Sequence, residues 1–335
     1  MFFYFVVLAI LYWLTSGNNF NFFILLTPVL MIPFCNDEFS HETFQCFFNI
    51  FSIVITISIV EYVLAVLGIL PPFSSRAPLN SLKSDVYHVY LTLVSTTIPP
   101  LRFHGPYDEP GVVGTTCAII LCIEKFNFKD KRVLITFLAG ALSLSLFFYV
   151  SVVVCWMLNR FRNRLSITTI IFIVAALFLA ITIVLRVPVL NEYIAERLVF
   201  DSDTGFSGDN RINMEIVNSY LNSMHGGTLW FGIPDKEYYM QLVEGSSSIF
   251  TTIIVYGLLF FIAYVLFFVM YALFNFKSVV SLIIFIFIFI ATIYQRPSVF
   301  SYFYVFLFTY LARDINIPAC RHRRSMLSDR ENTEK

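Results

Sequence analysis

Charged residues are scarce in this chain. Asp, Glu, Lys and Arg make up 13% of its 335 residues, and 22 basic residues balance 22 acidic ones. Soluble domains average about 25% charged residues. The composition therefore excludes a soluble globular enzyme and a disordered chain, and a net charge of zero gives no support to a nucleic-acid partner.

The sequence also lacks the common signatures of metal, nucleotide and disulfide chemistry. Its six cysteines are scattered, with no CxxC pair and no disulfide framework. No P-loop, Gly-rich dinucleotide turn, zinc-binding His-Glu-x-x-His or Gly-x-Ser-x-Gly elbow occurs. We therefore expect no cofactor and no metal, and ATP-driven transport is not predicted. No cleavage site follows the start of the chain, so we expect the first apolar segment to be retained.

Apolar residues dominate instead. They make up 58% of the chain, and 39 residues are Phe. A membrane-spanning helix needs about 20 apolar residues, and polar breaks divide the chain into candidate spans. These lie near 2–15, 19–35, 46–70, 111–124, 165–187, 248–274, 278–294 and 298–312, with a longer apolar segment at 133–158. The pattern predicts an all-α polytopic membrane protein that forms a single membrane domain, 1–335.

Basic loops predict how the segment 133–158 is divided. The flanking loops 124–132 and 159–164 are both rich in Lys and Arg, so the positive-inside rule places both in the cytoplasm. An even number of crossings must separate them, which predicts two short helices and a break near Gly140–Ser145. The total is then about ten spans. Segment 71–110 and the long loop 188–247 are external, whereas a loop at 36–45, both termini and the basic tail 313–335 are cytoplasmic.

Eight of the 22 basic residues fall on the external side. Arg76, Lys83, Arg186 and Lys236 fit solvated charges or interfacial anchors. The other four lie beside turn-forming residues in three external segments: Arg102, Arg197, Arg211 and Arg296. Guanidinium groups make paired hydrogen bonds to phosphoryl oxygens. Together they predict a diphosphate-binding site at the external membrane surface.

Candidate proton-transfer groups occur on the same side. Asp108 and Glu109 immediately precede a span, and His104 and His225 are external histidines that titrate near neutral pH in the absence of other effects. A carboxylate there either deprotonates a sugar hydroxyl or pairs with Arg102. Glu61 lies inside an apolar run, so we expect it to face a cavity or a polar partner.

The long external loop contains a helical pattern. Apolar residues recur from Ile212 to Met224, preceded by Asp209 or Asn210 as a helix cap. Arg211 would then lie in the first turn, where the helix dipole favours an anion. The alternative is a capped surface helix with an ordinary charge.

The order of these features resembles the Wzy-type O-antigen and capsular polysaccharide polymerases of the O-antigen ligase/polymerase superfamily. Residues 102–114 (RFHGPYDEPGVVG) look like the family's R-F-x-G-x-x-x-E-P-x-x-x-G element. Four later segments are also similar, namely 142–145 (LSLS), 208–211 (GDNR), 231–232 (FG) and 256–259 (YGLL). Where many relatives have His-Asn, this chain has Glu244–Ser248, which puts a catalytic His there in doubt.

The resemblance implies a GT-C-like bundle in the bacterial inner membrane, with its active site facing the periplasm. It implies metal-independent, inverting transfer of the growing glycan from undecaprenyl diphosphate to a new lipid-linked repeat unit. Membrane lipid and a chain-length regulator are the other implied partners. The implied roles are diphosphate binding by the four arginines, proton transfer by Glu109, by His225 or by the substrate itself, and support by Asp108, Asp209 and Tyr256. An O-antigen ligase and a lipid-linked oligosaccharide flippase or other transporter remain alternatives.

Overall fold

The computed structural model describes residues 36–76, 86–161, 186, 200–201, 205–206, 214–242, 249–276, 278–295 and 302–313. The predicted spans 2–15, 19–35 and, except for residue 186, 165–187 lie outside the described residues. The described helices are α1 (Asp37–Val66), α2 (Pro110–Ile123), α3 (Lys131–Leu142), α4 (Leu146–Phe161), α5 (Met214–Ser223), α6 (Gly227–Phe231), α7 (Lys236–Leu242), α8 (Ile249–Asn275), α9 (Val279–Gln295) and α10 (Tyr302–Leu311).

The fold is mostly helical, and α1 and α8 are long and apolar enough to cross a membrane. It is not purely α-helical. Strands β1 (Ser74–Arg76), β2 (Tyr87–Val89) and β3 (Val94–Ser95) form an antiparallel sheet in the order β1-β2-β3. A second antiparallel pair joins β4 (Phe200–Asp201) to β5 (Gly205–Phe206). Hydropathy did not predict these strands, because they are short and lie among turn-forming and polar residues.

Helix α1 begins where the sequence predicted a cytoplasmic loop. The Asn36 side chain accepts a hydrogen bond from the Phe39 N–H at 2.7 Å, and Asp37 and Glu38 occupy the first turn. Their charge favours the N-terminal end of the helix dipole. The predicted loop at 36–45 is therefore wrong, because these residues form the first turns of a 30-residue helix. The helix ends at Val66, earlier than the predicted span, and Gly68 follows with a φ of 72°.

Helix α2 lies in the middle of the bundle. All its residues except Val112 are buried, and it packs against α3, α4 and α10. Pro110 suits the first helical position because its missing N–H has no partner there in any helix. Gly114 permits a close approach to the break between α3 and α4, since a Cβ at this position would lie 2.4 Å from the Ser145 Cβ.

The segment 133–158 forms two helices, which confirms the predicted break. Residues Ser143–Ser145 separate α3 from α4, and Leu144 has a φ of 49°. Close packing accompanies the break. A Cβ at Gly140 would lie 2.0 Å from the Phe148 ring, so this glycine lets the two helices fold tightly against each other.

Polar contacts define two ends of the bundle. At the first, Arg132 of α3 donates to the side chains of Gln45 and Asn49 of α1 at 3.0 and 2.6 Å. At the same end, the Asn159 amide of α4 donates to the Lys125 carbonyl at 3.2 Å. We call this the Arg132 end. Lys125 of the predicted loop 124–132 and Asn159 near the end of α4 therefore lie together, while the membrane side of the loops 124–132 and 159–164 stays a prediction.

The opposite end, which we call the Arg102 end, contains the C-termini of α1 and α3 and the N-termini of α2 and α4. Aromatic packing continues between the ends through α8, α9 and α10. Phe289 of α9, for example, lies 5.1 Å from both Phe268 of α8 and Phe308 of α10, measured between ring centroids. Offset and edge-on ring contacts of this kind stabilise a core beyond simple area burial.

Candidate active site at the Arg102 end

The buried carboxylate of Glu61 ties the segment before the site to α1. Its Oε1 accepts from the Leu91 N–H at 3.0 Å, and its Oε2 accepts from the N–H groups of Thr92 and Leu93, each at 2.9 Å. The Thr92 hydroxyl also donates to Oε2 at 2.9 Å. The side chain of Glu61 was expected to have a polar partner, and three consecutive backbone amides provide it.

A second set of contacts carries this attachment to the site itself. The Val94 N–H donates to the Gly105 carbonyl at 2.9 Å, and the Tyr62 hydroxyl donates to the Leu101 carbonyl at 3.3 Å. The Tyr62 ring meets the buried Phe103 ring edge-on at 5.6 Å. Strand β3 and Tyr62 of α1 therefore hold the segment 101–105 in place, through its backbone and through the Phe103 ring.

Arg102 binds the C-terminus of α3. Its Nε donates to the Ser143 carbonyl and its Nη2 to the Leu144 carbonyl, each at 3.1 Å, and the neighbouring Phe103 N–H donates to the Leu142 carbonyl at 3.1 Å. These carbonyls belong to the last residue of α3 and the two residues after it, where a helix leaves carbonyls without an intrahelical donor. The guanidinium thus joins the segment 101–105 to the break between α3 and α4, and these bonds use two of its five N–H groups.

His104 is buried beside Arg102. Its Nδ1 lies 3.2 Å from the Asp108 carbonyl oxygen, which fits an Nδ1–H donor. Burial lowers the pKa of His104 to about 4, with a smaller contribution in the same direction from Arg102. The imidazole is therefore neutral near pH 7. A base with this pKa removes a hydroxyl proton poorly, so the expectation that His104 acts near neutral pH is not supported.

Asp108 and Glu109 lie between this histidine and α2. Asp108 is exposed, and Glu109 is half-buried at the residue that precedes Pro110. Glu109 has an extended backbone, and its carboxylate does not cap α2. The carboxylate is thus placed next to the N-terminus of a buried helix, where the dipole favours negative charge. Of these two carboxylates, Glu109 is the one whose charge acts on His104, where it favours the protonated imidazole less strongly than burial opposes it.

Described residues of the long loop pack against the N-terminal part of α8. The C-terminal part of α8 lies at the Arg132 end, because Arg313 joins the Tyr271 hydroxyl to Ser40 at the start of α1, so its N-terminal part lies toward the Arg102 end.

The Ile233 N–H donates to the Ile254 carbonyl of α8 at 3.0 Å. Gly232 and Gly257 bring the two backbones together, since a Cβ on either would lie 2.3 Å from a carbonyl oxygen of the other segment. Gly257 has φ 85° and ψ 160°, which interrupts α8. Only glycine adopts this conformation readily.

Tyr256 and His225 occupy this second region. The Tyr256 ring lies 5.7 Å from the Lys236 Nζ, within the range of a cation–π contact. Burial lowers the pKa of Lys236, which is half-buried, so of the two alternatives the sequence offered a fully solvated charge is excluded. His225 is exposed just before α6, and its backbone exchanges hydrogen bonds with the Thr228 hydroxyl.

The structure therefore brings some predicted site residues together and not others. Arg102, Asp108 and Glu109 share one compact segment. Tyr256 and His225 lie at the same end but belong to the region around α6 and the kink of α8. The remaining predicted residues, Arg197, Asp209, Arg211 and Arg296, lie outside the described residues.

The sequence did not predict the paired glycines Gly232 and Gly257 or the attachment by Glu61 to successive amides. The signal for Gly257 was a glycine inside an apolar run, which often marks a close backbone approach or a kink. The signal for Glu61 was a carboxylate in an otherwise apolar helix, but its partners come from residues 30 to 32 positions away.

Within the described part of the chain, no three His, Cys, Asp or Glu side chains are grouped so as to hold a metal ion. Comparison of the chain with protein-family models, curated proteins and solved structures finds no match.

Proposed function

We propose that this chain is a membrane-embedded glycosyltransferase that polymerises oligosaccharide repeat units carried on undecaprenyl diphosphate. The observation that carries the proposal is the segment 102–109, which holds an arginine and a carboxylate at one end of an apolar bundle. Its positions match the family element to which residues 102–114 are similar. The long loop packs at this same end through Ile233.

The proposed topology has about ten spans in a GT-C-like arrangement, with the Arg102 end facing the periplasm of the bacterial inner membrane. The distribution of charge supports this orientation. At the Arg132 end, the loop 124–132 and the end of α4 together carry Lys125, Lys129, Lys131, Arg132 and Arg160. Basic residues accumulate in cytoplasmic loops.

In the proposed reaction, an acceptor hydroxyl attacks the anomeric carbon of the growing glycan. The bond from that carbon to the diphosphate oxygen breaks, and its electron pair leaves with the diphosphate. The hydroxyl proton passes to a carboxylate, for which we propose Glu109, with His225 as the alternative acceptor. Attack from the face opposite the leaving group inverts the anomeric configuration. Undecaprenyl diphosphate is the second product.

Positive charge next to the leaving group is the main catalytic contribution in this scheme. A guanidinium whose position is fixed before reaction stabilises developing negative charge without having to reorganise. The bonds from Arg102 to the end of α3 supply such fixation. Arg197, Arg211 and Arg296 are proposed to complete the diphosphate site.

The test uses purified protein, synthetic undecaprenyl-diphosphate-linked repeat units and gel analysis of the glycan. We expect a ladder of polymer from the wild type and from Glu42→Gln, an exposed control on α1. Glu109→Gln should lose the ladder by at least about 100-fold, the usual contribution of general base catalysis. A normal ladder from Glu109→Gln would exclude Glu109 as the base.

The same assay separates the alternatives. Transfer of glycan to an added lipid A core, without a ladder, would identify a ligase. Movement of lipid-linked repeats across a vesicle bilayer, with no new glycosidic bond, would identify a flippase or other transporter. Either outcome would overturn the polymerase proposal.

A further inference from the structure

The region from α6 to α7 exposes large aromatic side chains while its other face is packed. Trp230, Phe231 and Tyr238 are 46%, 56% and 53% exposed, whereas Tyr239 and Ile233 are buried against α8 and its neighbours. Tyr239 contacts Tyr220 of α5, with ring centroids 4.8 Å apart. The exposed aromatics therefore belong to a well-packed element and not to a loose loop tip.

The depth of this element along α8 can be read from the backbone contacts. Gly232 and Ile233 meet α8 at residues 254–257, five to eight positions after its first residue, Ile249. At 1.5 Å per residue, the contact lies about 8–12 Å along the helix axis from its end. A small helix that stood above the membrane would meet only the first turn of the span.

Comparison of the length of α8 with the thickness of the bilayer gives the depth of this contact. The 27 residues of α8, which is interrupted at Gly257, extend at most about 40 Å, against about 30 Å for the hydrocarbon core. If the excess is shared between the two ends, about 5 Å of helix lies outside the hydrocarbon on each side. The contact at residues 254–257 then falls about 3–7 Å inside the hydrocarbon boundary, at the headgroup end of the acyl chains.

From this depth and this chemistry, we propose that residues 227–242 form an interfacial element embedded in the outer leaflet, with Trp230, Phe231 and Tyr238 in contact with phospholipid. Trp and Tyr favour this zone because their rings are apolar and their N–H and O–H groups still reach water. A water-exposed site would leave three large apolar surfaces hydrated within nine residues. A lipid interface removes most of that surface from water.

The paired glycines explain how the element reaches this depth. Side chains at Gly232 or Gly257 would hold the two backbones apart. The broken α8 exposes the Ile254 carbonyl, and the Ile233 N–H satisfies it. Non-helical backbone at membrane depth is tolerated only where its polar groups are paired or reach water. The hydrogen bond from Ile233 to Ile254 pairs two of these groups. The interfacial placement does not depend on the proposed enzymatic activity.

The inference is tested with tryptophan fluorescence in nanodiscs. The chain has three Trp residues, so Trp13→Phe with Trp156→Phe leaves Trp230 as the sole fluorophore. Size-exclusion chromatography verifies that the variant is folded. Lipids brominated near the glycerol end of the acyl chain should quench Trp230 by roughly half and more strongly than lipids brominated near the methyl end, and aqueous iodide should quench it weakly, as expected for an interfacial ring.

Strong iodide quenching without lipid quenching would place the element above the membrane and overturn the inference. Protection from both quenchers would mean that protein covers Trp230, which would overturn it equally. Moving the fluorophore to Tyr238→Trp, in a background that also carries Trp230→Phe, provides a second position. The same pattern of lipid quenching is expected there.

Discussion

Replacement of Glu61 by Gln tests whether the carboxylate holds residues 91–93 against α1. Oε2 accepts three hydrogen bonds and Oε1 accepts one. In Gln, one oxygen becomes an NH2 group. If the remaining oxygen stays at the Oε2 position, the NH2 group faces the Leu91 N–H, donor against donor. That amide loses its acceptor, and the other three bonds lose the benefit of a charged acceptor.

The magnitude follows from these four bonds. A hydrogen bond to a charged group contributes about 1.5–3 kcal/mol and a neutral one about 0.5–1.5 kcal/mol, so three weakened bonds lose about 3 kcal/mol. The orphaned Leu91 amide adds about 1 kcal/mol, at the low end of the range because this residue is exposed to water. Relief from burying a charge offsets part of the loss. The expected net destabilisation is about 2–4 kcal/mol.

The assay is the equilibrium unfolding free energy in bicelles, measured by steric trapping. Glu42→Gln on an exposed face of the same helix is the matched control and should change the free energy by less than about 0.5 kcal/mol. Thr92→Val removes the hydroxyl that donates to Oε2. Combined with Glu61→Gln, it should show a coupling of about 1 kcal/mol. Equal stability of Glu61→Gln and Glu42→Gln would refute the reasoning.

Three further outcomes are expected. The pKa of His104 is lowered from 6.5 to about 4, so between these pH values the unfolded state binds this proton and the folded state does not. The unfolding free energy should therefore drop by about 3 kcal/mol as the pH falls from 6.5 to 4. In His104→Gln, a pH titration of the unfolding free energy should lack this drop. Gly257→Ala, whose Cβ would lie 2.3 Å from the Trp230 carbonyl oxygen, should speed trypsin cleavage in the long loop, whereas Gly227→Ala, with open space around its Cβ, should not. In a cysteine-free background, Ser74→Cys should react with an impermeant maleimide in spheroplasts and Glu38→Cys only after lysis; the reverse result would invert the proposed topology.

The helical segments were largely predictable because hydrophobic runs depend on local composition. The break between α3 and α4 was predicted from two basic loops that had to share one side, together with the small residues between Gly140 and Ser145. The loop predicted at 36–45 shows where hydropathy fails. The acidic residues indicated a break between two spans, but they form the first turn of a helix. Asn36, a residue type that often caps helices, marked this helix start in the sequence.

The candidate site was predicted less completely. The cluster of Arg102, Asp108 and Glu109 follows from adjacency in the chain, so its existence needed no fold. Its environment did, because the pKa of His104 depends on burial and the partners of Arg102 lie about 40 residues away. Such contacts leave no mark in the composition of either segment.

By itself, the sequence determined a helical, apolar protein with its basic residues concentrated in certain loops, because hydropathy and charge are properties of each residue and its neighbours. The tertiary structure decided what the polar groups do. It directs Glu61 toward three amides, binds Arg102 to the end of α3 and brings Gly232 against Gly257 at the kink of α8. These outcomes depend on which backbone atoms are brought within about 3 Å of one another, and only the packing of helices distant in the chain establishes that.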